Sequence, residues 1–152
     1  MARRVFFSFH YDDDVWRANQ VRNSNVVAGA DVAGFFDHSE YQEAKKEGKT
    51  GIENMIRGHL RNTSVTVVLM GTHTWERPWV KFEISESAGR KNGFLGIYIH
   101  HLKNQQGVTS MRGSKAAVPS GVEFPCYDWD GDLDRLRREI EAAGQRADKL
   151  RQ

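Results

Sequence analysis

A single cysteine, Cys126, stands among 152 residues, so no internal disulfide can brace the fold. That is what a chain folding in a reducing, cytoplasmic compartment needs. The run EFPCYDW offers Cys126 no second thiol and no base, so it reads as a buried structural thiol. Long apolar runs are also lacking, and none approaches the roughly 20 residues that span a bilayer. The opening MARRVFFSFHYDDD is basic and then apolar, but the apolar part is too short for a signal peptide and runs straight into acids. Neither a targeting segment nor a membrane anchor is expected. Charge of one sign is missing too: 22 basic residues face 20 acidic ones, a formal net charge of +2. The excess is dispersed, without a basic arm or an aromatic-basic stripe, which argues against nucleic acid as a partner. No G-x-x-x-x-G-K-[ST] occurs, and no G-x-G-x-x-G follows the first strand. A Walker ATPase and an ordinary dinucleotide oxidoreductase are therefore disfavoured. The six histidines lack helical i, i+4 partners and Cys companions, so neither a metal nor a resident cofactor is expected.

What is present is ordinary for one globular domain spanning residues 1–152, with 39% hydrophobic and 28% charged residues. Five short runs read as strands: Val5–Phe9, Val32–Phe36, Val65–Met70, Phe94–Ile99 and a weaker Val122–Tyr127. The third is continuously apolar or β-branched, as a strand covered on both faces would be. The fifth carries Pro125, which belongs at a sheet edge. Helical stretches fall between them. These are Val15–Val27, Ile52–Leu60 with its stripe of Ile52, Met55, Ile56 and Leu60, and Pro78–Lys91, where Pro78 suits a first turn. Residues 103–121 are polar and rich in Gly, Ser and Gln, and read as a long mobile loop. The last segment, 132–150, predicts an amphipathic helix. Leu133, Leu136, Ile140, Ala143, Ala147 and Leu150 step by three and four, with Asp134 and Arg138 as a supporting pair. Two uses of that stripe stand open: packing on the chain's own sheet, and self-association into a homo-oligomer, which would suit a non-enzymatic interaction and assembly module.

Alternating strands and helices predict a mostly parallel five-stranded sheet with helices on both faces, an α/β three-layer fold. Ligands in such folds bind beyond the carboxyl ends of the strands. That rule selects Ser8–Asp14, Asp37–Tyr41 and Gly71–Trp79. Asp12, Asp13 and Asp14 recur where a phosphate-receiving domain holds magnesium, but the third strand ends in LMGTHT without an acceptor Asp, so phosphotransfer is disfavoured. The acids also suit the N-cap and first turn of the following helix. Ser8 reads equally as a polar strand end or a ligand contact. Trp79 and Glu83 fall four apart and stack on one helix face. Glu83 is either an exposed helix Glu beside a core Trp, or a partly desolvated carboxylate with a raised pKa that lines a reaction site.

Several phrases tilt that choice. FFSFHYDDD resembles the first-strand motif of Toll/interleukin-1 receptor (TIR) domains, and WVKFE the W-x-x-x-E pattern of those that cleave NAD⁺. The ordered set RRVFFSFHY, GFFD, EAKK, LRNTSVTVVLMGTHT, RPWVKFEI and GFLGIYIH, from about Arg3 to His101, resembles the TIR-like ThsB family of the bacterial Thoeris anti-phage system. The resemblance implies a flavodoxin-like fold and an enzyme that breaks the nicotinamide–ribose bond of NAD⁺ on sensing a phage-derived trigger. It also implies a cyclic ADP-ribose-type product that activates a ThsA-like, cyclic-nucleotide-sensing effector. Carried over by motif, Glu83 is catalytic and Trp79 shapes its pocket. Ser8, Phe9, His10, Tyr11 and Asp37 lie along the nucleotide, and NAD⁺ is substrate rather than cofactor. Beyond Lys103 the phrases do not continue.

Overall fold

The computed structural model of the chain describes residues 3–23, 32–36 and 38–152. Its strands are β1 (Val5–Ser8), β2 (Val32–Ala33), β3 (Val65–Met70), β4 (Gly93–Tyr98) and β5 (Cys126–Asp128). They form one five-stranded sheet in the order β2-β1-β3-β4-β5, and every neighbouring pair is parallel. The helices are α1 (Tyr11–Arg22), α2 (His38–Lys45), α3 (Gly48–Leu60), α4 (Pro78–Gly89) and α5 (Leu133–Leu150). This is the expected flavodoxin-like arrangement.

Strand alternation divides the sheet into two faces. Val5 and Phe7 of β1, Val65, Val67 and Leu69 of β3, and Leu95 and Ile97 of β4 point one way. They pack with Ala18 and Val21 of α1 and Leu136, Ile140 and Ala143 of α5. On the other face, Val68, Met70, Phe94 and Tyr98 meet Val80 and Ile84 of α4. Phe6 and Ala33 meet Ile52, Ile56 and Leu60 of α3 there. The apolar stripe of α5 is therefore buried on the chain's own sheet, with Leu150 alone left exposed at its end. The self-association reading loses its surface. Asp134 pairs with Arg137, three residues on, rather than with Arg138.

Several boundaries differ from expectation for identifiable reasons. Helix α1 starts at Tyr11, four residues early, because the ring of His10 rather than an acid caps it. The end of the stretch expected there, residues 24–27, lies outside the described residues. β2 stops after Ala33 because Gly34 turns into the left-handed region at φ 93°. A Cβ there would stand 2.1 Å from the carbonyl oxygen of Phe7. Helix α2 had no counterpart among the expected elements. Its eight residues hold only Tyr41 and Ala44 as apolar anchors, and it is stabilised by close approach to α3, where a Cβ on Gly51 would lie 2.1 Å from the Ala44 carbonyl. β5 is the edge strand, as Pro125 predicts, and Cys126 is half-buried rather than buried.

Residues 99–125 carry no helix or strand. They cross the carboxyl ends of β3 and β4 and are tied down there. Arg17 on α1 donates to the carbonyls of Leu102 at 2.8 Å and Val108 at 2.9 Å. The Thr72 hydroxyl donates to the Met111 carbonyl, and Ala116 is buried against Met70. Among the described residues no helix is long and apolar enough to cross a membrane.

At the start of β4 the backbone of α5 comes so close that a Cβ on Gly93 would sit 1.8 Å from the Ala143 carbonyl oxygen. Gly93→Ala is expected to lower stability by about 2–3 kcal/mol through displacement of α5. Denaturant unfolding checks this, and an unchanged midpoint would contradict the packing.

Candidate active site

Glu83 sits on the second turn of α4, whose start is set by the sequence. Pro78 takes the first helical position, where its missing N–H costs nothing. The 3-10 turn Thr74–Glu76 leads into it from β3, held by the Thr74 hydroxyl accepting from the Gly71 N–H at 2.8 Å. From Pro78, the helical period turns Val80, Glu83, Ile84 and Ser87 toward the sheet, and all four are buried. Val80 and Ile84 belong there. A carboxyl that is only 5% exposed does not, unless something holds it.

Ser8 supplies the hold. It ends β1 on the α4 face, fully buried, and its hydroxyl donates to Glu83 Oε1 at 2.7 Å. Glu83 Oε2 has no hydrogen-bond partner among the described residues. Burial pushes the Glu83 carboxyl up to about 8, and the Ser8 hydrogen bond opposes that rise only in part. No cation offsets the desolvation, in contrast to buried Asp14, whose carboxyl burial also raises but whose Oδ1 accepts from Arg17 at 2.8 Å. A neutral acid near pH 7 that ionises slightly above it is a group poised for chemistry.

In front of Glu83 opens a cavity of about 410 Å³, within the usual range for small-molecule sites. Phe36, Tyr41, Ile52, Met55 and Ile56 give it an apolar wall, while Phe9, His10, Tyr11 and Asp12 come from the end of β1 and start of α1. Arg77, Pro78, Trp79, Val80 and Glu83 form the α4 side. All three strand ends singled out in the sequence thus contribute. Tyr11 stacks on Phe9 at 6.1 Å, and Trp79 meets Phe82 edge-on at 5.7 Å. His10 accepts weakly from the Asp13 N–H through Nδ1 at 3.4 Å. Its Nε2 lies 3.3 Å from Asp13 Oδ2, too poorly aligned for a hydrogen bond.

The structure brings Phe9, His10, Tyr11, Trp79 and Glu83 to one cavity. Ser8, expected along the nucleotide, is behind Glu83 instead of on the cavity wall, because the strand's alternation sends its hydroxyl toward α4. Asp37 lies outside the described residues. Sequence reasoning missed the apolar wall: the Ile52–Met55–Ile56 stripe looked like core alone, and it is both core and lining. It also passed over Arg77.

With this geometry in hand, comparison with known proteins is informative. The family described as "Thoeris protein ThsB, TIR-like domain" matches residues 6–104. A protein of Bacillus cereus (strain MSX-D12), named "Putative cyclic ADP-D-ribose synthase ThsB1", is 40% identical over 138 residues. That alignment covers 90% of this chain and 69% of the relative. The chain belongs to the ThsB TIR-like family. The family match runs from β1 into the segment beyond β4, so Ser8, Trp79, Glu83 and the whole cavity lie inside it. The Bacillus cereus ThsB relative also matches beyond that region, where the sequence phrases had stopped.

A carboxyl raised in the folded state retains an extra proton between its ordinary value, 4.5, and about 8. Folding stability contributed by this group is therefore lost as pH rises across that window. Glu83→Gln is expected to unfold at nearly the wild-type temperature at about pH 5 and at a higher temperature at about pH 9. Melting curves at the two values check this. An equal difference at both would mean that Glu83 is not buried as described.

Proposed function

We propose that this chain cleaves the nicotinamide–ribose bond of NAD⁺ and closes the remaining ADP-ribose into a cyclic signal. The single observation that carries the reading is Glu83: a buried, unpaired carboxyl, oriented by Ser8, on the wall of a largely apolar cavity. Membership of the ThsB TIR-like family and the name of the Bacillus cereus relative support it.

The chemistry needs little more. Nicotinamide leaves as a neutral amine, taking the electron pair of the broken C–N bond, so no general acid is required. The ribose C1′ becomes cationic as the bond stretches. Ionised Glu83 stabilises that charge, and a poorly solvated site strengthens the attraction. Ordinary glycosidases use two carboxylates, the second to protonate a poor leaving group or activate water. Here Asp12 is the one other acid on the wall among the described residues, and it is exposed. Water attacking C1′ must shed a proton to a base. A ring nitrogen of the substrate's own adenine attacks with a lone pair and needs none. With one buried carboxylate and no base beside it among the described residues, the site favours cyclisation over hydrolysis when the bound substrate excludes water.

On this reading Trp79, Phe9, His10 and Tyr11 bracket the nucleotide, and Ser8 positions Glu83 without touching substrate. NAD⁺ is the substrate, with no resident cofactor, and the reaction takes place in the cytoplasm. The cyclic product acts on a nucleotide-sensing effector of the ThsA kind, and a phage-derived trigger switches the enzyme on.

Nicotinamide release from NAD⁺, followed with purified protein and with protein from phage-infected cells, tests the proposal. Glu83→Gln is expected to lower turnover by at least about 100-fold. Equal turnover by the two proteins would refute it. Because the ionised form is the active one, kcat/KM should rise with pH and level off above an inflection near 8, the value of the free carboxyl. For kcat the inflection should move lower, since cationic nicotinamide bound beside Glu83 favours ionisation.

A further inference from the structure

The Glu83 cavity accounts for the nicotinamide end of a dinucleotide but leaves its pyrophosphate unassigned. That group carries two negative charges, and the described cavity wall presents two acids, Asp12 and, once ionised, Glu83, neither of which can hold it. Only one permanent cation lines the same wall, Arg77. Its side chain is exposed and makes no hydrogen bond or ion pair among the described residues. Arg61, Arg90 and Arg138 also lack a side-chain hydrogen bond or ion pair among the described residues but do not line this cavity, while Arg3, Arg17, Arg57, Arg112 and Arg137 are each committed to a carboxylate within 3.0 Å.

Resting on the NAD⁺ reading above, we infer that Arg77 is a substrate-binding residue of this site, recognising the pyrophosphate of the dinucleotide. Arg77 precedes Glu83 by six residues, about 9 Å along the helix axis at the usual rise. In NAD⁺ the pyrophosphate is one ribose away from the bond that breaks, and a long arginine side chain bridges the remainder. A guanidinium offers paired N–H donors that match phosphate oxygens. Its position also fits the wider charge pattern. The start of α4 has no side-chain cap, so its partial positive charge adds to the field of Arg77 at the same rim. Anchoring the diphosphate there would set the ribose against Glu83 and turn binding energy remote from the reacting bond into orientation.

Binding, measured apart from turnover, decides the question. The Glu83→Gln protein serves as the non-turning-over parent, and NAD⁺ is titrated calorimetrically into it and into versions also carrying Arg77→Met or Arg77→Lys. Arg77→Met is expected to weaken NAD⁺ binding about 10-fold at about 50 mM salt, as loss of a charge-assisted contact would. Lys is expected to recover part of that loss, and the difference between parent and Met variant should shrink at about 500 mM salt. Binding by Arg77→Met equal to that of the parent would overturn the role of Arg77 while leaving the NAD⁺ reading intact. So would a loss that is independent of salt and unrelieved by Lys, which marks a structural defect. Failure of the parent itself to bind NAD⁺ would overturn both.

Discussion

One buried hydrogen bond organises this molecule: the Ser8 hydroxyl on the Glu83 carboxyl, 2.7 Å away. It joins the end of β1 to the second turn of α4, elements 75 residues apart in sequence. The carboxyl it holds is an expensive group to bury, and one hydroxyl is a weak return for the desolvation. The protein tolerates it by staying neutral, which is why the pKa is displaced upward. Ionisation therefore costs folding free energy, and a substrate that becomes cationic is the partner that returns it. The same interaction is a weakness of the apo fold and the working part of the proposed reaction.

A second buried carboxyl shows the alternative. Asp14 is equally hidden but has Arg17 beside it, and Arg17 also grips the carbonyls of Leu102 and Val108. That pair does structural work: it draws the irregular segment after β4 across the ends of β3 and β4. In a doubly wound sheet the crevice between β1 and β3 is the usual ligand site. Here Asp14 comes so near Gly71 that a Cβ would stand 2.2 Å from Oδ2, and Gly113 presses on the Thr72 carbonyl. The crevice is filled, and open space survives beside it, between β1, α3 and α4. A paired charge closes one site and an unpaired charge defines the other.

Much of this was legible because it depends on local period. The continuous run Val65–Met70 announced a central strand, Pro78 a helix start, and the three-four stepping of α5 a packed face. Spacing alone placed Trp79 above Glu83. What the sequence concealed was set by parity and long-range contact. Whether Ser8 faces nucleotide or carboxyl depends on which side of β1 its hydroxyl leaves, and a one-residue difference reverses the answer. Helix α2 has too few apolar residues to show a stripe, and exists through its contact with α3. Arg77 is silent in sequence because an unpaired arginine looks like any other until the cavity it lines is known.

The precision of Glu83 rests on the far end of its own helix. Ser87, one turn on and on the same inward face, accepts from the Thr66 hydroxyl of β3 at 2.8 Å. Thr66 Oγ1 in turn accepts from Asn92 Nδ2 at 3.1 Å, and Asn92 Oδ1 accepts from Arg151 at 2.6 Å. Arg151 follows α5 directly, so the C-cap of that helix closes the network. Two hydroxyl tethers one turn apart, Ser8 to Glu83 and Thr66 to Ser87, fix the rotation of α4 where apolar contacts alone would permit it to roll. Val80 and Ile84 supply attraction to the sheet without a preferred angle, since packing of that kind is non-directional. Hydrogen bonds are directional, and a carboxylate that must face a reacting carbon needs direction more than it needs affinity. The polar residues on the buried face of α4 are thus the means by which an apolar interface is given a single register.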